Sequence, residues 1–427
     1  MEKYTYKSSD IEWLGEIPEH WKVDRLKFYD KIIMGQSPKS SYVNQDGEGT
    51  PFLQGNTEFG KLNPIHKNWC TSGPKLAIKG DLLLSVRASL GDLNISDKKY
   101  IIGRGLCAIR SWQNNDKFIY YYLSILSEYF SSIATGTTFF AIKTRDVENL
   151  KTPLPPKQEQ IAIANYLDQA CERIDRIIAI KEEQLNKLDK SLQLKLNEIF
   201  YELEKTVVNY KKMKVVVNTT KGFAFKSALF EDKGHPIVKA SDIKNGSINK
   251  SKTFINDSVV EKFNQVALLE NDIVISTVGS QARVENSAVG QLAYVNKSFE
   301  GALLNQNTVI LRINYYFKVI PMFLYLQLKT SKYREHLDQY ARGTANQASL
   351  MLVDILNYKI CIPTEDKQEL TIANINSYSE KLMESKKKIK LQIKTLKAYR
   401  KSLIHECVTG KKQVTEKETK TKQTVTT

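Results

Sequence analysis

The residues of this chain best placed to do chemistry are cations, amides and short hydroxyls set beside glycine turns. In the first half these are Lys39, Gln54, Arg87, Ser89, the loop Gly136-Thr137-Thr138, Lys143 and Arg145. In the second half they are Lys226, Lys239, Ser241, Ser280, Arg283, Arg342, Gly343, Thr344, Asn346 and Gln347. Cations and hydroxyls on loops hold phosphate, while arginine and amide groups hydrogen-bond base edges, so this inventory suits recognition rather than bond-making. The alternative for each is an ordinary exposed polar residue. Asn346 and Gln347 stand out because amides pair bidentately with adenine. Gly103-Arg104-Gly105 lacks the third glycine and following helix of a phosphate loop, and reads as a turn.

Catalytic patterns are missing from the sequence. It contains no Gly-x-x-x-x-Gly-Lys-Ser/Thr loop, His-Glu-x-x-His helix, Gly-x-Ser-x-Gly elbow or Asn/Asp-Pro-Pro-aromatic run. Cys70, Cys107, Cys171, Cys361 and Cys407 show no pair at metal-ligand spacing and read as free thiols in a reducing compartment. With 63 Lys plus Arg against 47 Asp plus Glu, the formal charge of +16 favours a polyanionic partner, nucleic acid first. Apolar runs such as Phe118 to Leu126 are short and broken by Ser and Tyr, and Met1-Glu2-Lys3-Tyr4 is polar. No membrane segment or secretory core is expected, which places the chain in the cytoplasm.

The elements that must position these residues occur twice. Leu154-Pro155-Pro156-Lys157-Gln158-Glu159-Gln160 returns in altered form at Ile362-Pro363-Thr364-Glu365-Asp366-Lys367-Gln368-Glu369. Ahead of each copy lies a sheet-like stretch rich in aromatics and turns. Gly35-Gln36-Ser37-Pro38 finds a counterpart in Gly222-Phe223-Ala224-Phe225, Asp81 to Val86 in Asp272 to Thr277, and Thr135 to Thr138 in Arg342 to Ala345. Within the first stretch, Lys117 to Ser132 has helical spacing.

Behind each copy apolar residues fall into steps of three and four. The first seam runs through Ala164, Leu167, Cys171, Ile174, Ile178, Leu185, Leu188, Leu192, Ile199 and Leu203, interrupted by Lys181 and Lys195. A helix from Gln158 to Glu204 spans roughly 70 Å at about 1.5 Å per residue. The second seam runs through Ile375, Tyr378, Leu382, Ile389, Leu396, Tyr399 and Leu403, and Gly410 supplies its stop. Nine basic residues between Lys381 and Lys401 face only Glu384, which suits either a surface near a polyanion or a solvated helix face.

The expected organisation is a first sheet-rich domain at 1–155, a helix at 156–206, a second domain at 207–363, a helix at 364–410 and a disordered tail at 411–427. The fold class is α+β: two sheet-rich domains joined by two long antiparallel coiled-coil helices, with a pseudo-two-fold internal repeat. Such symmetry matches that of duplex DNA, on which half-sites lie about 34 Å or its multiples apart.

These residues resemble the specificity subunit of type I restriction-modification systems. Ile11-Glu12-Trp13-Leu14-Gly15-Glu16-Ile17-Pro18-Glu19-His20-Trp21 is similar to the opening signature of that family. Leu83 to Gly91 and Gly136-Thr137-Thr138 resemble its target-recognition motifs, and Pro153 to Gln160 its entry into the central helix. The second copy departs at Thr364-Glu365-Asp366 and at Ala345. The resemblance implies a non-catalytic subunit for bacterial defence that binds double-stranded DNA at a two-part asymmetric target. It further implies two modification (methyltransferase) subunits and restriction/translocase subunits as partners. S-adenosylmethionine, ATP and Mg would then reside on those partners, with no cofactor on this chain. Gln158, Glu159, Gln160, Gln368 and Glu369 are the expected partner-binding positions. The rival reading is an autonomous DNA methyltransferase or nuclease with an unrecognised active site. A helix-preserving insertion of one full turn after Lys190 is expected to change the spacing of half-sites in methylation mapping; altered half-site letters would contradict this.

Overall fold

The computed structural model describes residues 4–11, 13–134, 140–279, 289–344 and 347–414, without the side chains of Thr344 and Gln347. The chain divides into two compact units, Met1–Lys181 with Leu391–Thr427, and Glu182–Lys390.

In the first unit an antiparallel sheet has the strand order Leu93–Ile95, Leu82–Ser85, Leu106–Ser111, Asp30–Met34. A second sheet orders Val43–Asn44, Asn68–Cys70, Thr50–Leu53, Tyr100–Ile102 and Leu76–Ala77, with Tyr100–Ile102 parallel to Thr50–Leu53. The second unit repeats the first sheet in full and three strands of the second. Its antiparallel sheet orders Leu292–Tyr294, Ile273–Ser276, Thr308–Ile313, Val217–Lys221, and its second sheet Phe254–Ile255, His235–Val238, Leu303–Leu304. Here too the inner pair, His235–Val238 and Leu303–Leu304, is parallel.

Leu82–Ser85 and Ile273–Ser276 are buried at every position, so each reads as three consecutive apolar residues closed by a serine rather than as an alternating run. Successive side chains of a strand point to opposite faces. Thus Ile273 and Ile275 join a core with Phe323, Tyr333 and Leu337 of the helices, while Val274 joins another with Ile237, Val238, Leu303 and Leu304. The sheet is the middle of three layers.

A carboxylate secures each central strand. Asp81 and Asp272, both 2% exposed, accept two bonds from Arg110 (2.8 and 2.8 Å) and Arg312 (2.7 and 2.7 Å) respectively. The same carboxylates accept the amides of Ile78 and Leu269.

The helical segment expected over Lys117 to Ser132 is two helices, Asp116–Ser124 and Ser127–Ile133. The amides of Ile125 and Leu126 reach back three residues, to Tyr122 and Leu123, and this tighter turn ends the first helix. Leu126 and Phe130 stay buried across the break, which is why the periodicity runs through it.

The long helices are Lys157–Thr206 and Glu365–Val408. Within the first unit they run antiparallel, with Asp175 paired to Arg400 and Lys181 to Gln392. Ala164, Leu167, Cys171, Ile174 and Ile178 are buried as expected. Beyond Lys181 the seam differs from expectation: Leu196 and Phe200 are the buried positions, and Leu192, Ile199 and Leu203 only half-buried. The reason is that this stretch packs into the second unit's core beside Phe323. On the second helix Tyr399 is exposed and Ile393 takes its place in the buried face. That helix ends at Val408, and Gly410 follows with φ +74°, the left-handed geometry of a helix stop. Most of the expected disordered tail, 415–427, lies outside the described residues.

A buried glutamine joins each long helix to its domain. Gln160, 4% exposed, donates to the carbonyl of Pro155 (3.0 Å) and to Asn114 Oδ1 (3.2 Å), and accepts the amide of Asn115 (2.8 Å). Gln368, 0% exposed, donates to the carbonyls of Pro363 (3.0 Å) and Lys318 (2.8 Å), and accepts the amide of Ile320 (2.8 Å). The amides of Gln160 and Gln368, two of the expected partner-binding positions, are spent inside the chain. Glu159 is likewise engaged internally, accepting from Trp21 Nε1 (3.2 Å), His20 (2.9 Å) and Tyr4. Gln158 and Glu369 are exposed.

In the first unit the network extends from Asn114 to Asp30, which also accepts from Ser111. Burial pushes the Asp30 carboxyl up from 3.8 to about 6, against the opposing pull of Ser111 and Asn114.

Replacing Gln368 by Leu strands the Ile320 amide and two carbonyls, and is expected to cost about 2–4 kcal/mol, read as a lower denaturant midpoint at unchanged slope. For Asp30, the folded state holds the proton between about 3.8 and about 6 while the unfolded chain releases it. Stability therefore falls as pH rises through that window, and Asp30→Asn is expected to remove this component from a series of denaturation curves against pH.

Candidate nucleic-acid interface

In the first unit one cleft, of about 480 Å³, gathers Gln54 and Arg87 with Gly55, Asn56, Ala88, Arg104, Gly105 and Phe140. Its walls are ends of strands. Arg87 lies just past Leu82–Ser85, where Ser85 Oγ donates to the Arg87 carbonyl (2.9 Å) and the Val86 amide to the Gly105 carbonyl (3.0 Å). Arg104 tops the turn from Tyr100–Ile102 into Leu106–Ser111, held by bonds from the Gly103 amide to the Leu53 carbonyl (2.7 Å) and from the Leu106 amide to the Gly103 carbonyl (3.0 Å).

The glycines of this turn answer to close packing. A Cβ on Gly105 would stand 2.7 Å from the Gln54 carbonyl oxygen, and one on Gly35 would stand 2.1 Å from that of Gly103. The Gly-Arg-Gly triplet is thus a turn, as its spacing indicates, and it lifts Arg104 into solvent against the strand that ends at Leu53. Among the described residues the structure gives Arg87 and Arg104 no ion pair, whereas Arg110, Arg312 and Arg400 are held by carboxylates. Two free guanidinium groups beside the amides of Gln54 and Asn56 and the 59% exposed Phe140 form a surface for an anionic, planar, hydrogen-bonding ligand.

The other candidates of this unit do not line the cleft. Lys39 is exposed just ahead of the short 3-10 helix Ser40–Tyr42 and Ser89 in a bend, and Lys143 and Arg145 are exposed at the helix Thr144–Glu148, where the Lys143 amide donates to Asp146 (2.8 Å). Gly136, Thr137 and Thr138 lie outside the described residues.

In the second unit Lys226 and Ser241 are exposed, and Lys239 is half-buried with its ammonium 4.4 Å from the centre of the Phe230 ring. Arg342 and Gly343 are exposed in the strand Arg342–Thr344, antiparallel to Gln347–Ser349. Ser280, Arg283 and Asn346 lie outside the described residues, as do the side chains of Thr344 and Gln347.

The basic run of the second long helix is partly neutralised. Lys386 pairs with Asp189, Lys388 with Glu384, Arg400 with Asp175 and Lys401 with Glu128. Sequence reasoning missed Arg104, Asn56 and Phe140 as cleft residues. The triplet itself was the available signal for Arg104, since glycines on both sides of an arginine mark a backbone packed tightly beneath an exposed cation.

All five cysteines are free and buried. Among the described residues no cluster of three or more His, Cys, Asp or Glu is arranged for a metal, and no helix is long and apolar enough to cross a membrane.

Comparison with known proteins matches this duplicated architecture. Residues 18–190 and 207–395 each match the type I restriction modification DNA specificity domain. A Methanocaldococcus jannaschii protein that carries the name MjaX specificity subunit is 43% identical over 203 residues, which are 46% of this chain and 46% of that one. The MjaVIII specificity subunit of a type I restriction enzyme from the same organism is 25% identical over 93% of this chain and 94% of its own. In fold, the chain is similar to the HsdS subunit from Thermoanaerobacter tengcongensis (TM-score 0.54, 15% identity, 92% of this chain and 98% of that one). It is also similar to a chain solved in work on complex assembly of the type I R-M system (TM-score 0.66, 15% identity, 92% and 98%). With both of its units matched, the chain belongs to the type I restriction modification DNA specificity domain family.

Proposed function

We propose that this chain is the DNA-reading subunit of a type I restriction-modification complex, in which each unit reads one half of a bipartite, asymmetric target. The observation that carries this reading is the doubled domain-plus-helix architecture, in which the two copies share the strand order of their four-stranded sheets but differ in their exposed polar residues. Shared strand order supports two similar docking modes on a duplex. Different surface residues support two different half-sites.

The chain does no chemistry of its own in this account. It directs adenine methylation and restriction by two modification subunits and by restriction/translocase subunits, which would hold S-adenosylmethionine, ATP and Mg in the cytoplasm. The net charge of +16 supports docking on the duplex by counterion release, so affinity is expected to fall steeply with salt.

The test is a domain exchange. With the region Trp21 to Leu154 replaced by the same region of another specificity subunit, the chain plus its modification subunit is expected to methylate a target changed in one half only. Methylation of the original target would refute the proposal. Methyl transfer or cleavage by the highly purified chain alone, with S-adenosylmethionine or Mg²⁺, would favour the autonomous enzyme instead.

A further inference from the structure

The turn that carries Arg104 exists in both units. In the first, the amides of Gly35 and Gln36 bond the carbonyls of Leu106 and Ile102; in the second, those of Gly222 and Phe223 bond Thr308 and Leu304. The approach is equally tight, since a Cβ on Gly222 would stand 1.9 Å from the Asn305 carbonyl oxygen. The ion pairs Arg110–Asp81 and Arg312–Asp272 set the register of the strands that follow. Counting back six residues from each arginine reaches Arg104 in one unit and Gln306 in the other. Both side chains are exposed, and the structure gives neither a side-chain partner among the described residues. The Gln306 backbone is pinned by its amide, which bonds the Phe223 carbonyl (2.9 Å).

We infer that Arg104 and Gln306 are the corresponding base-reading residues of the two units, Arg104 for guanine and Gln306 for adenine. This rests on the DNA-reading function proposed above. A guanidinium donates two parallel bonds to guanine O6 and N7, and an amide both donates to and accepts from adenine N6 and N7. Either contact needs a side chain whose root is fixed, and a turn tied to neighbouring strands on both sides supplies one at little ordering cost. The surroundings of Arg104 favour a base over a phosphate. A phosphate seat is built from cations and hydroxyls, whereas this cleft sets amides and an exposed phenylalanine beside the guanidinium groups.

The experiment maps methylated motifs made by the full chain with its modification subunit, for the wild type, Arg104→Gln and Gln306→Arg. Both positions are exposed, so stability is expected to change little, checked by thermal unfolding. For Arg104→Gln, preference for one guanine in a single half-site is expected to fall by about tenfold, with adenine gaining and the other half-site unchanged. Gln306→Arg is expected to act on the opposite half-site, from adenine toward guanine. Uniformly weaker binding to all sequences, with a salt slope reduced by about one, would make Arg104 a phosphate contact and overturn the assignment. Unchanged motifs would overturn it as well. A wild type with no two-part motif would refute the underlying function, a result distinct from either of these.

Discussion

The structure depends on two buried amides. Gln160 and Gln368 each stand one turn inside a long helix, and each spends its side chain on backbone of the preceding domain. A buried amide is costly to leave unpaired, so the bonds are directional constraints as well as stabilising contacts. They determine where the helix begins and which face of it meets the sheet-rich domain. The proline before each helix contributes its carbonyl to the same clamp, which gives the repeated Pro-to-Gln spacing a physical meaning.

From that clamp the remaining organisation follows. With the helix start fixed, the three-four apolar face is held against the domain and against the other long helix. The central strands of the middle sheet, Leu82–Ser85 and Ile273–Ser276, are then covered on both sides and buried along their length. A buried sheet needs its charges paired, and Asp81 with Arg110 and Asp272 with Arg312 supply this at equivalent places. Exposed chemistry is thereby displaced to the strand ends, where Arg87 and Arg104 meet solvent.

Much of this was legible in the residues. Leu154 to Gln160 and Ile362 to Gln368 disclosed the repeat, and Gly35 with Gly222 and Asp81 with Asp272 proved to be equivalent positions. What escaped the sequence depends on distant packing. Periodicity cannot distinguish a coiled-coil seam from the face that enters a domain core, so Leu196 and Phe200 were passed over in favour of Ile199 and Leu203. Gln160 and Gln368 read as surface groups because glutamine is seldom buried, and nothing local records the Asn115 and Ile320 amides that occupy them. The cleft was invisible for the same reason: Gln54, Arg87 and Arg104 come from three separate strand ends.

In the function proposed above, one chain carries two independent readers of DNA. Selection from a library of random duplexes, with the chain bound to a type I modification subunit, probes this reading. The expected result is two separated clusters of fixed bases with different letters and unspecified bases between them. A single contiguous motif, or no enrichment at all, would contradict it.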